Sequence, residues 1–251
     1  MVSFEDATLA ERVDITHDLA VFRLAVEKEF AFAPGQFATL ALEQNGKLIQ
    51  RPYTIVSSPH EPLLEFFLEL VPHGALSPRL WELKAGDEIK IRSQAAGVFT
   101  LDRRSGLSRH LMLATVTGIA PFVSMIRQHA FELERGTGAD LSFAVIHTAS
   151  YAREFGPYLD ELQETARDGW LHYAASVSRP VEETSWTGEV GRVEDLIRKY
   201  ADGLAFDHTN SIAYACGHPT MVENARAILQ RARFDRKHIR TEKFFTIPIP
   251  R

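Results

Sequence analysis

The chain has 251 residues, 45% of them hydrophobic and 24% charged, with a formal net charge of −5 at pH 7. That length suits one large domain or two ordinary ones, and the balance excludes both a disordered chain and a nucleic-acid binder recruited by overall charge. The single cysteine, Cys216, excludes an intramolecular disulfide and a cysteine-ligated zinc or iron–sulfur centre.

The first half reads as short alternating strands punctuated by turns, at 19–26, 36–42, 47–49, 53–56, 64–71 and 87–91. Pro34-Gly35 and Asn45-Gly46 supply turn chemistry between them. Close spacing of this kind predicts an antiparallel β-barrel. A helix is expected over 77–83, with Ser77 as N-cap and Pro78 in its first turn. After a polar linker at 102–108 the rhythm changes. Apolar strands at 111–115, 141–146, 171–177 and 212–216 alternate with helical patterns at 122–134, 157–167, 191–201 and 219–233. That alternation predicts an α/β domain with a parallel sheet. The expected division is therefore a β-barrel over 1–103 and an α/β domain over 104–251. Residues 1–103 carry 10 basic and 15 acidic side chains, so the acidity lies in the first half. The amino terminus lacks the basic and apolar regions of a leader, and no apolar run approaches the roughly 18 residues of a membrane span. The expectation is a cytoplasmic protein that needs neither membrane nor nucleic acid.

Several chemistries lose their usual evidence, because the sequence holds no P-loop, no G-x-G-x-x-G, no G-x-S-x-G and no H-E-x-x-H. No histidines form a spaced metal pair, so no metal is expected. Two clusters do carry chemistry. In Arg51-Pro52-Tyr53-Thr54, alternation puts Arg51 and Tyr53 on one face of a strand. A guanidinium fork for a phosphate beside a flat aromatic ring suits a flavin nucleotide, with the Thr54 hydroxyl alongside. Taken alone, the segment also fits an edge strand with a solvated arginine. In His73-Gly74-Ala75-Leu76-Ser77-Pro78, a glycine that admits close backbone approach precedes a helix start, which can hold an anion. In isolation the same residues read more simply as a plain loop and helix cap.

These clusters stand within a longer series: Pro34-Gly35-Gln36-Phe37, Arg51-Pro52-Tyr53-Thr54, the run from Val71 to Leu80, Leu83 to Asp87, Ala95 to Phe99, the run from Thr115 to Phe122, Val177-Ser178-Arg179, and Cys216 to Val222. In number, order and spacing the series closely resembles the ferredoxin–NADP⁺ reductase family, in its bacterial flavodoxin/ferredoxin branch. The resemblance implies an FAD-binding barrel, then a nicotinamide-nucleotide domain, and hydride exchange between NADP(H) and flavin N5. Single electrons would then pass to or from a ferredoxin or flavodoxin.

By the match, Arg51 and Pro52, with Val71 and the turn His73, Gly74, Ala75, Leu76 and Ser77, would hold the FAD pyrophosphate. Tyr53 would stack on the isoalloxazine and Thr54 would sit near N5. Thr115, Thr117, Gly118 and Pro121 would hold the nicotinamide nucleotide, and Ser178 and Arg179 its 2′-phosphate. Two further basic positions of the branch are Ser150 and Glu189 here, with Arg153 and Arg192 within a turn of them as substitutes. NADP(H) is the first choice, with NAD(H) next, because Glu189 could accept from a ribose hydroxyl. Where the family usually has Gly this chain has Val116. Valine resists positive φ, so a reshaped turn or a displaced nucleotide is expected.

Cys216 and Gly217 would lie by nicotinamide C4, with Cys216 positioning rather than attacking. Glu242 would relay a proton. Phe244 would cover the flavin face opposite Tyr53, Phe245 would pack on the adenine side, and residues 246–251 extend beyond it. The basic run Arg231, Arg233, Arg236, Lys237, Arg240 and Lys243 reads either as a solvated helix end or as a docking patch for the acidic partner. A monomer is expected. The alternatives are an NADH-dependent reductase component of an oxygenase and a non-catalytic flavin-binding electron-transfer subunit.

Overall fold

Alternating apolar side chains at the start of the chain pair into a six-stranded antiparallel sheet, seen in a computed structural model of which residues 3–182 and 185–244 are described. Its strands are β1 (Phe4–Asp14), β2 (Leu19–Val26), β3 (Phe37–Gln44), β4 (Lys47–Thr54), β5 (Leu64–Glu69) and β6 (Glu88–Arg92), in the order β4-β3-β6-β1-β2-β5. The end strands β4 and β5 also touch. Leu9, Phe22, Leu24, Leu40, Phe66 and Ile91 fill the space inside.

Three local readings change. β1 was not anticipated, because only Ala7 and Leu9 of its eleven residues are buried and its other positions are largely charged or polar. Its place comes instead from ladders on both sides, to β2 and β6. Segments 47–49 and 53–56 join into one strand, β4. This sheet edge tolerates Pro52, whose missing N–H is not needed there. The helix expected at 77–83 is a single turn, α1 (Ser77–Leu80), with Leu76 at the cap position. The Ser77 hydroxyl turns away from the helix instead. It accepts from the Val71 N–H at 3.0 Å and faces the Val71 carbonyl at 3.3 Å.

The chain divides into two compact units. The first runs through Leu101 and also takes in Ala120–Thr137, which includes α2 (Ala120–Glu134). Within that unit the Ser124 hydroxyl donates to the Ser57 carbonyl at 2.7 Å. Arg127 pairs with Glu61 at 3.2 Å and with the buried Glu65 at 3.1 Å. Arg23 reaches the same Glu65 at 2.7 Å, so two guanidiniums compensate one buried carboxylate.

The second unit holds a parallel sheet of β7 (Arg109–Thr115), β8 (Ser142–Ala149), β9 (Leu171–Val177), β10 (Glu189–Val190), β11 (Ser211–Gly217) and β12 (Ile239–Lys243). The order is β10-β9-β8-β7-β11-β12. Successive strands move outward from β7 on one side, and the chain then returns to place β11 on the other. The direction therefore reverses between β7 and β11, and ligands of open α/β sheets bind at the carboxyl ends of the strands flanking such a switch point. The helices are α3 (Tyr158–Thr165), α4 (Val193–Gly203) and α5 (Pro219–Arg231). Leu111, Leu113, Ile146, Ile197, Val222 and Leu229 form a core between sheet and helices. β10 has two residues and β12 carries two basic residues and one acidic residue, so neither shows the apolar run that marked the others.

Asp102 opens this unit. Burial by itself pushes its carboxyl up, but the Ser105 and Arg104 N–H groups at 2.8 Å, the Ser105 side chain and the Arg240 guanidinium outweigh burial and hold it at about 2. A carboxyl depressed in the folded state stabilises above its unfolded value near 3.8, and that contribution is lost as pH falls toward 2. Urea unfolding between pH 5 and 2 is therefore expected to show a steeper loss of stability in the wild type than in Asp102→Asn. Parallel curves would show that Asp102 contributes no such linkage.

Candidate functional site

In the first unit the site is built along one face of β4. Ile49, Arg51 and Tyr53 alternate with Gln50 and Pro52, so they line one side of an edge strand. Tyr53 is half-buried, and burial, opposed by the nearby Arg51 charge, pushes its phenol up to about 12, so it stays neutral. Arg51 is exposed and spends one guanidinium N–H on the Gln50 carbonyl at 2.7 Å. Thr54, which pairs with Phe37, is buried.

Beyond Arg51, Ile49 forms one wall of a cavity of about 500 Å³ whose other walls include His73, Gly74, Ala75, Pro78 and Arg79. Gly74 is pressed tightly into this turn, and a Cβ there would lie 3.0 Å from both the Ser77 hydroxyl and the Val71 carbonyl. Leu76 is buried, while His73 and Ala75 are exposed. Strand face and cavity together offer an aromatic plane, then a cation, then a hollow large enough for an aromatic group. That order fits a flavin ring, a diphosphate and an adenosine, and so fits FAD rather than a mononucleotide.

In the second unit the candidate residues gather at the switch point. β7 passes into a 3₁₀ turn, Val116–Ile119, and β11 ends in Cys216-Gly217 before α5. The two turns lie back to back. A Cβ on Gly118 would be 2.3 Å from the Cys216 carbonyl oxygen, and one on Gly217 would be 2.3 Å from the Thr115 hydroxyl oxygen. That oxygen accepts from the His218 N–H at 2.9 Å. Thr117 is buried; Pro121, also buried, belongs to α2 of the first unit. Cys216 is fully buried, and burial followed by the Glu242 charge pushes its thiol well up, so it is no thiolate nucleophile. Glu242 stands opposite Cys216 in the β11–β12 register, and the Phe244 N–H donates to the Gly217 carbonyl at 2.9 Å. Phe245 and 246–251 lie outside the described residues.

Of the two expectations at Val116, the structure bears on the turn: the residue adopts φ +43, so the turn is not reshaped to spare the valine.

At the ends of β8 and β9, Arg179 donates to the Tyr151 hydroxyl at 3.1 Å, and Arg153 lies 4.3 Å from the centre of the Tyr151 ring. Ser178 donates from its backbone to the Ala149 carbonyl at 2.9 Å. Two exposed arginines flanking one ring suit a phosphate beside an aromatic base, and the sequence reading overlooked Tyr151 in this cluster. Arg192, also exposed, stands at the start of α4. Glu189 is engaged. Lys199 and the Tyr200 hydroxyl, the latter at 2.8 Å, bond its carboxylate and hold it below its usual range.

The basic run is divided by the fold. Arg240 pairs with Asp102 and Lys243 with Glu223. Arg231, Arg233 and Arg236 are exposed at the foot of α5 and just beyond, the end opposite the switch point. Among the described residues no cluster of His, Cys, Asp or Glu could hold a metal ion, and no helix is long and apolar enough to cross a membrane.

Two family models match the chain: an oxidoreductase FAD-binding domain over residues 6–99 and an oxidoreductase NAD-binding domain over 112–227. A flavodoxin/ferredoxin–NADP reductase of Escherichia coli is 38% identical over 216 residues, which is 82% of this chain and 83% of that protein. A ferredoxin–NADP reductase of Pseudomonas aeruginosa is 31% identical over 208 residues, 79% of this chain and 78% of that one. Among solved structures, a ferredoxin NADP⁺ reductase from Neisseria gonorrhoeae with bound FAD and NADP superposes with a TM-score of 0.83 at 23% identity. It covers 96% of this chain and 99% of its own.

Proposed function

Because the chain belongs to the flavodoxin/ferredoxin–NADP reductase family, we propose that it moves electrons between NADP(H) and a ferredoxin or flavodoxin. FAD, when bound, supplies the exchange of a hydride with the nicotinamide on one side and of single electrons with the protein partner on the other. The observation that carries the reading is the ordered face of β4, where Tyr53, Arg51 and the cavity beyond Ile49 follow one another as ring, phosphate and adenosine binders must.

Tyr53 orients the ring by stacking, and its high pKa keeps a charge away from the flavin. Arg51 holds the diphosphate, and the tight turn at Gly74 brings backbone close to it. In the second unit Thr117 faces the nucleotide's phosphates. Cys216 offers a small neutral wall that excludes water from the nicotinamide, and Glu242 stands behind it as the group able to hold a proton. Arg179 and Arg153 take the 2′-phosphate. The engagement of Glu189 by Lys199 and Tyr200 removes the bare carboxylate that would repel it, which supports NADP(H) over NAD(H).

The purified protein is expected to carry flavin absorption and to reduce an artificial acceptor faster with NADPH than with NADH. A colourless protein that takes up no added FAD would end the proposal. Arg179→Ala is expected to raise the KM for NADPH about tenfold or more and to leave that for NADH within about threefold, since a charge-assisted phosphate contact is lost. Equal losses with both cofactors would remove Arg179 from the 2′-phosphate.

A further inference from the structure

A β-branched residue enters the left-handed region only where its surroundings over-determine it, at a cost of about 1–3 kcal/mol. Val116 stands there, at φ +43, at the head of the turn that follows β7. Its carbonyl oxygen lies 2.9 Å from Nε2 of His147, a fully buried residue of the adjacent strand β8. A carbonyl can only accept, so Nε2 carries the proton and Nδ1 the lone pair. Nδ1 lies 3.0 Å from the Tyr173 hydroxyl on β9, which therefore donates to it. The hydrogen bonds run in one direction across three strands, from Tyr173 through His147 to Val116. Burial keeps the histidine neutral, lowering its pKa to about 4 against the opposing bond to Val116, and burial likewise raises the Tyr173 phenol. The Phe155 ring stands edge-on to His147 at 4.9 Å, and Val116 packs on the cluster of Ala149, Phe155, Ala175 and Val177.

The consequence lies on the other side of the peptide. Across a trans peptide the C=O and the next N–H point in opposite directions. A Val116 carbonyl held toward His147 therefore aims the Thr117 N–H away from it.

We propose that His147 and Tyr173 are positioning residues for the nicotinamide nucleotide, holding Val116 in its left-handed conformation so that Thr117 presents its amide to the nucleotide's phosphates. This rests on the reading of the β7 turn as the nucleotide site. Glycine would adopt the same backbone unaided, so the role of His147 belongs to a chain that carries valine here.

The test is a thermodynamic cycle on the FAD-loaded full chain, with NADP⁺ binding measured by calorimetry and flavin content measured alongside. His147→Ala is expected to weaken NADP⁺ binding about tenfold with flavin content unchanged, as one hydrogen bond and the relief of strain allow. In the Val116→Gly background the same substitution is expected to change affinity less than about threefold. His147→Gln keeps an N–H donor and is expected to recover part of the loss; His147→Phe, which fills the site without a donor, replaces His147→Ala in the cycle if that variant does not fold. A His147 effect of equal size in both backgrounds, or none in either, overturns the positioning role while leaving the nucleotide site intact. Wild-type protein that binds no NADP⁺ overturns the site reading and this proposal together.

Discussion

Replacing Arg51 and Tyr53 together by alanine is expected to weaken FAD binding by about a thousandfold. A charge-assisted bond to phosphate is worth about 1.5–3 kcal/mol, and an aromatic stack on a base-like ring about 1–3 kcal/mol. Their sum, near 4 kcal/mol, is about three decades in affinity. The two side chains stand two residues apart on one face of an edge strand; Arg51 is exposed, and Tyr53 packs half-buried against the barrel core without belonging to its fully buried set, so the double variant keeps that set intact. Tyr53→Phe keeps the plane and loses only a hydroxyl that stays neutral to about pH 12, so it is expected to retain FAD equally well between pH 6 and 9. Flavin retained through gel filtration and titration of the stripped protein measure both outcomes. A double variant that holds FAD as tightly as wild type would place the flavin elsewhere.

Gly118→Ala is expected to cost about 3 kcal/mol or more of stability and to abolish measurable NADP⁺ binding. The added methyl would lie 2.3 Å from the Cys216 carbonyl oxygen, 2.7 Å from its carbon and 2.8 Å from the Gly217 Cα. All three are backbone atoms of a central strand, so no side chain can swing aside, and the β7 and β11 turns must separate. Gly46→Ala is the comparison. Its φ of +73 strains alanine, but nothing lies within 4 Å of the new methyl, so the cost there is about 1 kcal/mol. Urea unfolding of both variants decides the point. Equal midpoints would mean that the two turns are not in close contact.

Much of the flavin half was legible because its signal is local. Alternation along 47–54 already placed Arg51 and Tyr53 on one side, and a run of turn residues at 73–78 marked a backbone approach. Less was legible in the nucleotide half. The spacing between Val116 and His147 carries no periodic signal, and each residue reads alone as an ordinary strand-end valine and a structural histidine. Only the parallel register of β7, β8 and β9 makes them neighbours. Lys199 and Tyr200 were missed for the same reason, since α4 brings them to Glu189 from ten and eleven residues away.

The sequence by itself determined that an antiparallel sheet is followed by a parallel one, because hydrophobic period and turn chemistry are written residue by residue. It also determined which motifs stand at the strand ends. The tertiary structure alone decided that a valine takes a glycine's backbone, that β1 is a strand, and that Gly118 must have no side chain. Each of those depends on hydrogen bonds and contacts between elements that the sheets bring together, β1 with β6, Val116 with His147 and Gly118 with Cys216, and their energies appear only once the partners meet.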